Sequence, residues 1–174
     1  MKLKHFDFFF RDIKKLKKVL FEPTNTPFIL KKKIIGRSIK SEKVCNAISL
    51  FKAKKNRIEL KGSIKSHEKD GVALLRFLRW FKSTKVNTLD EIALVKKLEQ
   101  VRKIDSSFYY NSFDTISAAG SNAAITHYRV SPKSNKQINP SDLILVDSGG
   151  QYLEGTTDVT RTIIKGRVLP EQKF

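Results

Sequence analysis

Asp147 and Asp158 are the residues whose type and spacing best suit chemistry. Leu143, Ile144, Leu145 and Val146 read as a buried strand, and the run ends on Asp147 just where Ser148-Gly149-Gly150 opens the backbone. A second strand is expected from Thr157 to Ile164, with Asp158 between Thr157 and Val159, after the turn signal Glu154-Gly155. A desolvated carboxylate in a β-branched strand is costly unless it meets a cation or a metal, and two facing acids also repel. A divalent cation, or a pair of them, removes both penalties. Hard oxygen donors suit manganese or magnesium, and zinc or cobalt where imidazole joins. Spacing alone leaves a second account open, in which Asp158 pairs with Arg161 and Asp147 accepts amide hydrogen bonds in a turn.

Register is the difficulty. A two-residue Glu154-Gly155 loop sets Asp158 opposite Gln151, on the face of Asp147 but four residues along from it. At about 3.3 Å per residue that is too far to share an ion. A bulge at Gly149-Gly150 would close the gap, one use of glycine inside a strand.

The elements that must position this pair are mostly helical and lie upstream. Leu3, Phe6, Phe9, Phe10, Ile13, Leu16 and Leu20 recur at helical spacing, with lysines on the other side, and Glu22-Pro23 and Pro27 end the pattern. Ile34-Ile35 reads as a strand fragment in a loop-rich connector. From Glu42 a helix is expected with Val44, Ala47, Ile48, Leu50 and Phe51 on one side. A longer one follows Gly62-Ser63, with Asp70-Gly71 in its first turns and a stripe of Leu74, Leu75, Leu78 and Phe81 beside Trp80. Thr88-Leu89-Asp90-Glu91 has the form of a capping box ahead of Ile92, Val95, Leu98 and Val101. After Asp105 the grammar changes to small residues and strands, so the fold class expected is α+β.

Composition narrows the chemistry. The 174 residues suffice for one domain or a domain and part of a second, and the single cysteine, Cys45, excludes an intrachain disulfide and a thiolate cage. No apolar run approaches the roughly 20 residues of a membrane span, and a cytoplasmic location is expected. The net charge of +18 is uneven: residues 1–105 hold 28 Lys+Arg against 11 Asp+Glu, and residues 106–174 hold 7 against 6. The excess lies outside the Asp147–Asp158 region and is mostly Lys, which argues for solvated surface over a nucleic-acid reader, where forked Arg contacts are favoured.

The segment DSGGQYLEGTTDVTRT, from Asp147 to Thr162, resembles the metal-site hairpin of aminopeptidase P (Xaa-Pro aminopeptidase) in the pita-bread (creatinase/aminopeptidase) metallopeptidase family. SNAAITHY, from Ser121 to Tyr128, resembles the substrate-site segment that precedes it, and residues from about 46 onward are similar to the opening helices of that catalytic domain. The resemblance implies the N-terminal half of a pita-bread domain over residues 46–174, with residues 1–45 as the tail of a preceding domain. It also implies hydrolysis of a peptide bond ahead of a proline in second position, at two metal ions, manganese first, held by two Asp, one His and two Glu. Asp147 and Asp158 match the two Asp, and His127 matches the histidine that contacts substrate or stabilises the transition state. His5 and His67 match no ligand.

The sequence ends at Phe174, before residues that would match the ligand His and both ligand Glu. Two of five ligands imply an incomplete, inactive fragment from a split or decayed gene, with a separately encoded C-terminal half as its partner. Members of the family are often homo-oligomers. The rival readings are a basic, non-catalytic binding module and a non-functional remnant.

Overall fold

The computed structural model describes residues 19–35, 41–43 and 47–173. The chain divides into two units, Met1–Lys55 and Asn56–Phe174. In the first, strands β1 (Val19–Phe21) and β2 (Ser41–Lys43) pair in parallel, and helix α1 (Phe28–Ile35) is the crossover between them. Two expectations are corrected here. Val19 and Leu20 belong to a strand, not to the end of an amphipathic helix, and Ile34-Ile35 closes a helix opened by Pro27, whose carbonyl accepts from the Leu30 and Lys31 amides. The rest of the helix expected over residues 3–20 lies outside the described residues, as do Val44 and Cys45. The expected helix after Glu42 is α2 (Ala47–Ala53), which exposes Ile48, Leu50 and Phe51.

The second unit is built on helix α3 (Arg57–Ser83). Asn56 caps it, its Oδ1 accepting from the Ile58 and Glu59 amides at 2.8 and 2.9 Å while Glu59 Oε2 accepts from the Asn56 amide at 2.8 Å. The helix therefore begins before Gly62-Ser63, and Asp70 lies in its middle rather than its first turns. Helix α4 (Glu91–Arg102) is capped by Asp90, which accepts from the Ala93 amide at 2.6 Å. Thr88 instead donates to the Lys85 carbonyl, so the expected Thr88/Glu91 box does not form. Glu91 is freed for another task.

Strands β4 (Ile116–Ala119), β5 (Leu143–Ser148) and β7 (Val159–Ile164) form a three-stranded antiparallel sheet in the order β4-β5-β7. Strands β3 (Phe108–Asn111) and β6 (Gly150–Tyr152) make a separate antiparallel pair. One face of the larger sheet, with Ala119, Ile144, Val146, Val159 and Ile163, packs on Leu74, Phe77 and Phe81 of α3 and Leu94, Leu98 and Val101 of α4. Phe77 carries the stripe where Leu75 was expected; Leu75 is exposed, because the buried face runs through Asp70, Ala73, Leu74, Phe77 and Phe81.

The β6–β7 turn is pressed onto α3. A Cβ on Gly62 would lie 2.3 Å from the Glu154 carbonyl oxygen, so only glycine allows this approach. Glu154 fastens the contact, meeting Lys69 Nζ at 2.8 Å and Lys65 Nζ at 3.1 Å. These ammonium groups, Lys69 first, hold its carboxyl at about 2, below the usual carboxylate range. A depressed carboxylate stabilises the fold above its ordinary value and loses that contribution as pH falls toward its folded value. The thermal midpoint of the chain should therefore exceed that of Glu154→Gln by its full margin at pH 5 and above, and the margin should vanish as pH approaches about 2. The margin should be small, because solvent screens the pair.

Candidate metal centre

Asp147 is the penultimate residue of β5, and Asp158 immediately precedes β7. Their relation depends on the turn. The Tyr152 amide donates to the Gly155 carbonyl at 2.9 Å and Gln151 bridges Thr156, which makes Leu153-Glu154 the loop, one residue earlier than the expected Glu154-Gly155. Moving the loop by one residue moves the register by two. Asp147 now faces Thr160, Ser148 faces Val159, and the same register carries Asp158 across from Gly149 instead of Gln151. Asp158 and Asp147 become diagonal neighbours on one face, about 7–8 Å apart at the backbone and nearer at the side chains. No bulge is needed between them. The corrected register sets the two carboxylates on one face, two residues apart along paired strands.

Gly149 makes this geometry possible. A Cβ there would sit 2.0 Å from the Thr157 carbonyl oxygen and 2.3 Å from Ser112 Oγ, which donates to that carbonyl at 2.9 Å. The Ser112 amide donates to the Gly149 carbonyl. From Gly149 the chain leaves β5's partners, and β6 pairs with β3.

The carboxylate face is open. Thr157 is buried and Val159 packs toward the core, whereas Asp158 and Thr160 are exposed and Asp147 is half-buried. Thr160 Oγ1 donates to Asp147 Oδ1 at 2.8 Å. Arg161 does not neutralise Asp158: it stands three positions on in the strand and so on the other face, opposite Val146, and its NH1 donates to the Thr160 carbonyl at 2.7 Å. Among the described residues, the ion pairs leave both aspartates without a basic partner. Two hard oxygen donors with no competing cation suit a divalent ion. They do not complete its shell, since among the described residues no group of three or more His, Cys, Asp or Glu could hold a metal.

His127 is exposed on the loop after the short turn Gly120–Ala124, and no hydrogen bond joins it to either aspartate. Its φ of 54° is the one positive value among described non-glycine residues, in a region where histidine is enriched. The loop is pinned from beneath by Glu91, which is fully buried. Glu91 Oε1 accepts from the Ala119 amide at 2.7 Å and Asn122 Nδ2 at 3.0 Å, and Oε2 from the Lys136 amide at 3.1 Å. Tyr128 OH lies 2.9 Å from Glu91 Oε2 and 3.0 Å from the Ser134 carbonyl. Burial pushes the Tyr128 hydroxyl's pKa upward, so it stays a donor. Removing that hydroxyl in Tyr128→Phe should cost about 1.5–3 kcal/mol in urea unfolding, the range for hydrogen bonds to charged groups. It should also raise amide exchange across residues 121–136.

Comparison with known proteins adds to this geometry. The model of metallopeptidase family M24 matches residues 62–174. Over 135 residues, 76% of this chain, the sequence is 44% identical to a probable Xaa-Pro aminopeptidase P of Chaetomium globosum. The chain spans about a fifth of the length of such curated relatives. The crystal structure of an X-prolyl aminopeptidase from Caenorhabditis elegans, described as a cytosolic enzyme with a di-nuclear active site, superposes with a TM-score of 0.79 at 30% identity. That match covers 97% of this chain and 28% of the other. A prolidase from Pyrococcus horikoshii gives 0.80 at 26% identity, covering 99% and 48%.

Proposed function

The chain belongs to metallopeptidase family M24, and from that premise we propose that Asp147 and Asp158 are two ligands of a divalent-metal centre serving Xaa-Pro aminopeptidase chemistry. The α+β fold, part of a pita-bread domain and shared with an X-prolyl aminopeptidase described as having a di-nuclear active site, supports this reading. The observation that carries the reading is their diagonal placement on one open sheet face, with no basic partner among the described residues. The substrate is a peptide with proline in second position, and the reaction releases the residue before it. Manganese is the proposed ion, on the hard-oxygen character of the donors. A bound metal pair polarises the scissile carbonyl and lowers the pKa of water.

This chain's own residues hold and orient. Asp147 and Asp158 bind the cation from adjoining strands, and His127 contacts the substrate from a loop whose shape Glu91 fixes. In that family the rest of the shell is one His and two Glu, and a hard cation takes more donors than the two aspartates supply. The working enzyme is proposed to be cytoplasmic.

The test is manganese-dependent hydrolysis of an Xaa-Pro peptide by the chain alone and by the chain mixed with the later segment of the Chaetomium globosum relative. Turnover is expected in the mixture only. Asp158→Asn should lower it by more than about 100-fold, since loss of an outer-shell partner alone costs 10–100-fold. Turnover undiminished by Asp158→Asn would contradict the reading.

A further inference from the structure

Asp147 and Asp158 differ in how they are held. Asp147 has a cross-strand partner whose hydroxyl reaches one of its oxygens at 2.8 Å, whereas among the described residues Asp158 has no such bond. That partner, Thr160, is exposed, so core packing does not explain it. An ionised carboxylate only accepts, so the hydroxyl is the donor and takes a lone pair on Oδ1 alone. A β-branched side chain in a strand has little χ1 freedom, which makes the hydroxyl a fixed post.

We propose that Thr160 is a positioning residue for the metal centre, holding Asp147 Oδ1 so that Oδ2 stays turned toward the cation. The inference rests on the metal reading above and adds to it a residue that touches neither metal nor substrate. Thr162 lies two residues on in the same strand and on the same face, opposite Leu145 instead of an acid, and serves as the control.

The experiment is a manganese chloride titration of the whole chain, followed by paramagnetic broadening of backbone amide resonances at residues 147–149 and 158–160. Thr160→Val keeps the shape and branching and should require about 10–100-fold more manganese for the same broadening. Thr160→Ser should restore the wild-type titration, Thr162→Val should leave it unchanged, and the thermal midpoint of Thr160→Val should match wild type. Thr160→Val titrating like wild type, or Thr160→Ser failing as valine does, would overturn the proposal. Asp147→Asn separates the two levels. If it abolishes the broadening while Thr160→Val has no effect, only the positioning role falls. If it titrates like wild type, or if the wild type shows no broadening at these amides, the metal reading falls and the positioning role with it.

Discussion

Asp70→Ala should cost about 3–5 kcal/mol, the largest loss expected from any single change in this chain. Asp70 and Arg102 are buried, and Arg102 Nε and NH2 donate to the two oxygens of Asp70 at 2.7 and 3.1 Å. Tyr152 OH donates to Asp70 Oδ1 at 2.8 Å, and Arg102 NH2 also donates to Ser148 Oγ at 3.1 Å. Burial, and then the bond to Asp70, push the Tyr152 hydroxyl's pKa well above its usual value, so it stays protonated and donating. Removing Asp70 leaves a guanidinium in the interior with no counter-charge. The network joins α3, α4, β6 and the end of β5, where Ser148 follows Asp147, so the damage should reach the carboxylate face. Replacing the pair together, as Asp70→Leu with Arg102→Met, should recover most of that loss but stay about 1–3 kcal/mol below wild type, because breaking a buried pair costs more than exchanging it for apolar packing, while the buried Tyr152 hydroxyl loses its acceptor. Urea unfolding of the single and double variants gives both numbers. A single variant as stable as wild type would show that the pair contributes nothing.

Gly149→Ala is expected to be the next most damaging change, at about 3 kcal/mol, the upper end of the usual cost of overpacking. The added methyl would meet the Thr157 carbonyl and Ser112 Oγ, and the carbonyl is backbone that cannot swing aside. The strand carrying Asp158 must then move away from the strand carrying Asp147. Stability and carboxylate spacing should fail together in this variant, whereas Gly71→Ala should be harmless, since nothing lies within 4 Å of its Cβ position. Thermal unfolding of the two variants provides the comparison. Equal midpoints would remove the claim that Gly149 makes the carboxylate geometry possible.

What could be read from the residues was local. The strand carrying Asp147 up to Ser148-Gly149 was legible because period and punctuation coincide there, and the DSGGQYLEGTTDVTRT resemblance pointed to the family that the comparisons show. The turn was misplaced by one residue because Glu154-Gly155 has the turn composition, while the loop is set from outside by the approach of the Glu154 backbone to Gly62. That contact joins residues far apart in sequence, and no local pattern carries it. Glu91 followed a cap and was read as part of the cap; its real role depends on Asn122, Tyr128 and Lys136, none of which lies on its own helix. Asp70 and Arg102 were invisible for the same reason, 32 residues apart on separate helices. Asp70 was read as lying in the first turns of its helix, because the start at Asn56 was missed.

The central claim is that Asp147 and Asp158 share a cation, and an anomalous-difference map at the manganese edge, from crystals of the chain soaked in manganese, tests it most directly. The predicted result is a peak within about 2.0–2.6 Å of an oxygen from each carboxylate, the range of hard-cation bonds. A peak bound to one aspartate alone, or no peak on this sheet face, would contradict the account.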